Sequence, residues 1–324
     1  MTSQLNFAKA ELAHIIALLK IPMTDALQPI LARIPLFADK TDLRITELSG
    51  GITNRNYKIT AGDDAYVLRV GGNDTNLLGI DRQVEYGCTL AASRVDVAPE
   101  PVAFLEPEGY LVTRFVAGVG LPAETIGSPQ SLSRVVAAIK RYHALDHFPG
   151  SFSPFRVVGS YLPIAQRYKA PLPENMAWLL ARVSEIEQAF LGAPLPPVAC
   201  HNDLLNGNFI DDGNSIRILD WEYAGMGNRF FDLGNFSAQH QFNVEQDEIL
   251  LKEYFGVFTK PQFARLQLMK IMSDMREAMW AMVQCNVSQI EFDYVGYGVK
   301  YFRRIESVAT GDHYTGWLKT ANET

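Results

Sequence analysis

Apolar side chains recur at Leu12, Ile15, Ile16 and Leu19, the spacing of one helix face, so the chain is expected to open with an amphipathic helix. Pro22, Pro29 and Pro35 interrupt that pattern, since proline has no N–H and a fixed φ. From Leu43 the period shortens. Arg44–Leu48, Tyr57–Thr60 and Ala65–Val70 read as strands, with Gly62–Asp63–Asp64 as the turn before the third. A helix over Asp81–Ser93 and strands near Val102–Leu105 and Tyr110–Phe115 complete a small mixed region, and Ala117–Gly118–Val119–Gly120 reads as a hinge.

Beyond that stretch the helical period dominates. Leu132, Val135, Val136, Ile139 and Tyr142 form one apolar stripe, and Met176, Leu179, Leu180, Val183 and Ile186 a second. Leu268, Met272, Met275, Met279 and Met282 form a third, which is read as core packing, since methionine fills irregular gaps. The expected class is α+β in two lobes. Residues 1–117 would form a small mixed N-lobe with an antiparallel sheet, and 118–324 a larger, mainly helical C-lobe. No internal repeat or low-complexity tract interrupts this order.

Composition narrows the picture only a little. The 324 residues are 48% hydrophobic and 20% charged, enough for a large globular core. A net charge of −7 argues against nucleic acid as a partner, because phosphate neutralisation calls for a basic excess. The same acidity suits a cationic ligand, although most acidic proteins are acidic merely for solubility, which is the favoured reading. Cys88, Cys200 and Cys285 are odd in number and far apart; no metal spacing or disulfide framework can be read from them, which favours a reducing compartment. Met1–Thr2–Ser3–Gln4 lacks the basic-then-apolar layout of a signal peptide, and no apolar run approaches the roughly 20 residues of a membrane helix. A cytoplasmic protein without membrane insertion is expected; nothing in the pattern speaks to oligomeric state.

The chemistry concentrates in Ala199–Cys200–His201–Asn202–Asp203–Leu204–Leu205–Asn206–Gly207–Asn208–Phe209 and in Ile218–Leu219–Asp220–Trp221–Glu222–Tyr223. Phosphoryl transfer from ATP needs anchored phosphates, neutralised charge and an aligned acceptor oxygen. Asp203 is suited to receive the proton of a hydroxyl. Asn208, five residues on, and Asp220, seventeen residues on, offer hard oxygen ligands to Mg²⁺. The five-residue step is the Asp-to-Asn spacing of the protein-kinase catalytic loop. His201 reads as a support for the loop. Asn, Asp and Gly favour turns on their own account, so any one element alone is weak evidence. The joint pattern, with apolar strands flanking both carboxylates, points to a kinase.

In the first lobe, Gly50–Gly51 between two strands suits a turn whose free N–H groups face ATP phosphates, although it lacks the G-x-G-x-x-G of protein kinases. Arg69, near the end of Tyr66–Val70, stands where kinases carry a strand-borne cation for the phosphates; arginine is permanently charged and binds phosphate bidentately. Glu85, on the following helix, is its natural ion-pair partner.

Taken together, these motifs resemble the choline/ethanolamine kinases, within the wider aminoglycoside-phosphotransferase-like superfamily, and the resemblance covers most of the chain. Ser49–Gly50–Gly51–Ile52–Thr53–Asn54 is similar to the family's nucleotide loop, which implies nucleotide-binding roles for Gly50, Gly51, Thr53 and Asn54. Tyr66–Gly71 resembles its cation-bearing strand, His201 through Asn208 its catalytic loop, and Leu219–Ala224 its metal segment. Phe231–Asp232–Leu233–Gly234–Asn235 resembles a downstream motif in which Asp232 is structural. Trp280–Gln284 and Ile290–Tyr294 resemble the segment beginning with a substrate-pocket tryptophan. The resemblance implies a protein-kinase-like fold, ATP between the lobes with adenine near Val112–Val116, and a small cationic alcohol held by the helical lobe.

Two departures from the family stand out. Choline kinases carry two tryptophans three residues apart in the late helix; here the first position is Glu277 and only Trp280 remains, and Gln239 falls near a position that is acidic in several relatives. Glu277 and Trp280 share a helix face, and a carboxylate with an indole holds a cation by charge and by the ring quadrupole. That pair suits a primary ammonium at least as well as choline. Another alcohol, such as thiamine or an aminoglycoside, is the nearest alternative acceptor. A non-catalytic kinase-like binding module is the alternative of a different kind, opposed by the presence of Asp203, Asn208 and Asp220 together.

Overall fold

The computed structural model describes residues 23–48, 54–72, 75–288 and 290–323. The helix expected over Leu12–Leu19, and Gly50, Gly51 and Thr53, lie outside the described residues.

The first described helix is α1 (Met23–Leu31), which runs over Pro29 where the sequence pattern places a break. An interior proline costs about 3 kcal/mol. Leu27, Ile30 and Leu31 are buried against the sheet, and full burial of such side chains contributes roughly 1.5–3 kcal/mol each, so burial wins. The sheet contains β1 (Arg44–Leu48), β2 (Asn54–Ala61), β3 (Asp64–Gly71), β4 (Pro101–Leu105) and β5 (Tyr110–Arg114) in the order β1-β2-β3-β5-β4, with every neighbouring pair antiparallel. The β2–β3 turn narrows to Gly62–Asp63, with Gly62 at φ 65°, a conformation glycine adopts without steric cost. One small core joins α1 and the following turn (Ile34, Phe37) to Tyr57, Ile59, Tyr66, Leu68 and Val112.

Helix α2 (Arg82–Ser93) starts one residue inside the expected span, because Asp81 caps it by accepting from the N–H groups of Gln83 and Val84. The expected hinge is only partly a free connection: β6 (Val119–Gly120) pairs with Ile210–Asp211, and a Cβ on Gly118 would lie 2.4 Å from the Asp211 carbonyl oxygen.

The remainder is mainly helical, with α3 (Pro129–His143), α4 (Pro154–Arg167), α5 (Met176–Gly192), α6 (Arg229–Gln239), α7 (Val244–Phe255), α8 (Lys260–Gln284), α9 (Tyr294–Ala309) and α10 (Tyr314–Thr320). Between α5 and α6 lie the short strands β7 (Val198–Cys200), β8 (Phe209–Asp211), β9 (Ile216–Ile218) and β10 (Gly225–Gly227). The β8–β9 hairpin takes β6 as its third strand, and β7 pairs with β10. The first stripe is wholly buried, and the second buries Leu179, Val183 and Ile186 while Met176 and Leu180 pack at its margin.

Helix α8 departs most from its sequence pattern. Its methionine stripe is buried as expected, but so are Arg265, Asp274, Arg276 and Glu277, because α4, α6, α9 and α10 enclose it. The Arg304 Nε donates to Asp274 Oδ2 at 2.6 Å, so this buried charge is paired. Among the described residues, no helix is long and apolar enough to cross a membrane.

Candidate active site

The loop after β7 is held by one buried carboxylate. Asp232, in the first turn of α6, accepts from the backbone N–H groups of His201 (2.9 Å) and Asn202 (2.6 Å), from the Tyr142 hydroxyl (2.7 Å) and from His143 Nε2 (3.0 Å). One turn on, Asn235 Oδ1 accepts from the N–H of Leu204 at 2.6 Å. Cys200 also lies near Asp232 and His143, a grouping that sequence spacing hides, yet both Asp232 oxygens already have donors. Asp232 therefore takes the structural place expected of it.

His201 Nε2 donates to the Leu219 carbonyl at 2.8 Å, and Nδ1 accepts from the N–H of Asp203 at 3.2 Å. Burial pulls its pKa down to about 4, so it stays neutral and ties the Asp203 loop to the Asp220 segment. Asn202 at φ 67° and Asp220 at φ 62° both occupy the left-handed region, which Asn and Asp tolerate better than most residues. Asn202 Nδ2 donates to the Tyr223 carbonyl at 2.9 Å, and the N–H of Leu219 to the Asn208 carbonyl at 2.8 Å. Two stretches of chain are thus bolted together by bonds to main-chain carbonyls. Trp221 is packing, edge-on to His201 and Tyr142.

A cleft of about 540 Å³ lies over this floor, and Asn54, Arg69, Glu85, Asp203, Asn208, Asp220, Glu277 and Trp280 all line it. Every described residue that the sequence singled out for a site is there. Its wall includes Thr113, Phe115 and Val116, within the stretch expected near adenine.

At one end, Arg69 on β3 pairs with Glu85 on α2 at 2.9 Å, as expected. Burial lowers the Arg69 pKa and the Glu85 charge opposes that; among the described residues its Nε and Nη1 have no acceptor. Asn54 does not stand free. Its Nδ2 donates to Glu222 Oε2 at 2.9 Å, and its Oδ1 accepts from Arg82 Nη2 at 2.9 Å. Arg82 Nη1 also bonds Glu85 (2.7 Å) and Glu222 (3.0 Å), so the sheet region meets the Asp220 segment through charge.

In the middle stand Asp203 and Asp220. Desolvation pushes the Asp203 carboxyl up to about 7, with Arg276 pulling against it and Glu277 and Glu222 adding to it. Arg276 Nη1 donates to Asp203 Oδ1 at 2.9 Å. The Asp220 carboxylate opens into the cleft, yet the enclosing walls, then Glu222, Glu85 and Asp203, hold its pKa well above the ordinary range. The oxygen donors of Asn208 and Asp220, in a lining that also holds Glu85, Asp203, Glu222 and Glu277, fit a divalent hard cation.

At the far end, Glu277 and Trp280 are 2% and 4% exposed and face the cleft from α8. Glu277 Oε1 is bonded to Arg276, and Oε2 accepts from the Tyr297 hydroxyl at 2.9 Å. Tyr294 and Tyr297 flank the Trp280 ring at 5.7 and 6.0 Å between centroids. Gln239 accepts from Tyr301, which in turn contacts Tyr297. The sequence reading missed Arg82, Arg276 and Tyr297 and gave no role to Glu222. Arg276 stands beside Glu277 in sequence, but a helix pattern gives neighbours no common face, so no signal marked it.

The chain is similar to known kinases over most of its length. It is 26% identical over 302 residues to the probable ethanolamine kinase of Arabidopsis thaliana, covering 80% of this chain and 78% of that one. The crystal structure of a choline/ethanolamine kinase family protein from Mesorhizobium loti superposes with a TM-score of 0.80 at 29% identity, covering 94% of this chain and all of the other. The choline kinase LicA from Streptococcus pneumoniae, at 20% identity, shares the fold with a TM-score of 0.75 over 88% of this chain and 98% of its own. Residues 44–267, from β1 into α8, match the phosphotransferase enzyme family; the chain belongs to that family and is a small-molecule kinase.

Proposed function

We propose that the chain transfers the γ-phosphoryl group of ATP to the hydroxyl of a small cationic amino alcohol of the choline or ethanolamine type. The observation that carries this reading is one continuous cleft lined by Asp203, Asn208 and Asp220, by the Arg69–Glu85 pair, and by the Glu277–Trp280 face. In this reading residues 1–117 are the nucleotide lobe and 118–324 bear the catalytic loop and acceptor site, in a cytoplasmic setting.

Each group has a role that follows from its chemistry. Asp203 accepts a hydrogen bond from the acceptor hydroxyl and takes its proton as the oxygen attacks phosphorus. Arg69, oriented by Glu85, holds ATP phosphates with the donors that have no acceptor among the described residues. Asn208 and Asp220 would hold Mg²⁺, which screens phosphate charge when bound. Glu277 supplies the counter-charge for the ammonium and Trp280 its ring face. Carboxylate and tyrosine hydroxyl together favour a primary ammonium, whose N–H groups donate, over a quaternary one.

Substrate-dependent ADP release measured with ethanolamine, choline, thiamine and an aminoglycoside tests the reading. Turnover with ethanolamine or choline and none with the others is expected. Turnover confined to thiamine or the aminoglycoside overturns the acceptor class, and nucleotide binding without any turnover revives a non-catalytic module.

A further inference from the structure

Arg276 is one of the described cleft residues whose place neither the sequence pattern nor the motifs explain. It is 2% exposed and lines the cleft between Asp203 and Glu277. Its Nη1 donates to Asp203 Oδ1 at 2.9 Å and also to Glu277 Oε1, joining the catalytic loop to the acceptor face of α8. The guanidinium lies over the Tyr223 ring, 4.2 Å from its centroid.

The Asp203 main chain is held by other groups: its N–H bonds His201 Nδ1 at 3.2 Å, and its carbonyl accepts from Asn208 Nδ2 at 2.9 Å. No such redundancy fixes the side chain. Among the described residues Arg276 is the sole hydrogen-bond partner of the carboxylate, and it uses Oδ1, leaving Oδ2 without a protein donor. Meanwhile Arg276 Nε and Nη2 are buried without acceptors among the described residues. Leaving buried donors unsatisfied is costly, and such costs concentrate where a site is built for function. Aromatic stacking and two anionic partners hold the guanidinium plane against that cost.

We propose that Arg276 is the positioning residue for Asp203: it clamps Oδ1 so that Oδ2 faces the acceptor hydroxyl, and it fixes the separation between Asp203 and the ammonium-binding Glu277. The assignment rests on the role of Asp203 given above. It makes the hydroxyl and the ammonium of one small substrate meet two carboxylates tied to a single guanidinium. Lysine at this position keeps a charge but lacks the flat guanidinium face that stacks on Tyr223 and holds Nη1 between the two carboxylates.

The test compares Arg276→Ala and Arg276→Lys by steady-state kinetics, with ethanolamine or choline as acceptor and methylguanidinium added to the buffer. Displacing a reacting group by about 1 Å costs roughly 100-fold, so kcat of Arg276→Ala should fall by about that factor while the ATP KM stays within about threefold. Arg276→Lys should sit about tenfold below wild type, and methylguanidinium should raise kcat of the alanine variant and leave wild type unchanged. A wild-type kcat in either variant overturns the proposal. So does an alanine variant whose ATP KM rises in step with the loss of kcat and that methylguanidinium does not restore, since that marks a general packing defect. Should Arg276→Ala not fold, the lysine variant decides: reduced kcat at unchanged ATP KM supports the clamp, and wild-type kcat ends it. A wild-type enzyme idle with both alcohols overturns the proposed acceptor class instead, and the clamp is then read on the slow hydrolysis of ATP with water as acceptor.

Discussion

Asp203 and Asp220 are two aspartates in one cleft with different electrostatic company. A guanidinium bonds Asp203 directly and opposes Glu277 and Glu222, whereas Asp220 stands among Glu222, Glu85 and Asp203 with only the more distant charge of Arg69 against them. A group that takes a proton needs one fixed orientation; a group that holds a cation gains from surrounding anions. Asp203→Asn should therefore lower kcat by about 10²–10⁴-fold and leave ATP affinity, followed with a fluorescent nucleotide, almost unchanged. Lost affinity at unchanged kcat would assign Asp203 to the nucleotide. Asp220→Ala should abolish Mg²⁺-dependent turnover and Asn208→Ala should reduce it less, because a carboxylate carries charge and an amide only a dipole; a magnesium titration of both variants checks the order. At the acceptor end, Glu277→Gln should raise KM for ethanolamine and leave KM for ATP alone. Trp280→Ala should harm choline more than ethanolamine, since a methylated ammonium relies on the ring face. Identical substrate ratios in wild type and both variants would move the acceptor elsewhere.

Among the elements, α6 and α8 carry the site. Helix α6 presents Asp232 and Asn235 to the catalytic loop, and its Gly234 lies against the backbone of α8. A Cβ there would stand 2.8 Å from the Met269 carbonyl carbon and 3.0 Å from the Lys270 nitrogen. Backbone cannot step aside as a side chain does, so Gly234→Ala should destabilise the fold by about 1–3 kcal/mol. Urea unfolding measures the loss, and kcat should fall as the loop anchors move. An unchanged midpoint and kcat would mean that the two helices separate at no cost. The motif Phe231–Asp232–Leu233–Gly234–Asn235 was legible as a motif; that its glycine serves helix contact follows only from where α8 passes.

For the molecule as a whole, enclosing charges makes stability depend on pH. Asp274 on α8 is buried and its pKa is raised from 3.8 to about 6, by desolvation first, with Arg304 opposing. The folded state thus keeps this proton over a window in which the unfolded chain has lost it. This contribution to stability is fully present below the unfolded value and is lost as pH rises from 3.8 to about 6. Asp274→Asn cannot ionise, so its unfolding free energy should gain on wild type by roughly 3 kcal/mol across that window, at about 1.4 kcal/mol per unit. A difference between variant and wild type that does not change with pH would refute the assignment.

Local chemistry let the sequence alone determine much of this protein. Alternation and turn residues placed the strands of the sheet, helical spacing placed the buried stripes, and the Asp203–Asn208–Asp220 spacing picked out three residues that line one cleft, because these signals are carried by residues close together in the chain. Helix α1 escaped it because proline outweighed hydrophobic spacing locally, while the sheet decided otherwise through burial. Tertiary structure alone decided that Arg276 meets Asp203, that Arg82 joins Glu85 to Glu222, and that Tyr297 reaches Glu277. Along the chain, a charged residue reads as solvent-facing, since an isolated charge is costly to bury. Whether its counter-charge waits inside depends on partners as far off as 140 positions, brought close only when the elements pack.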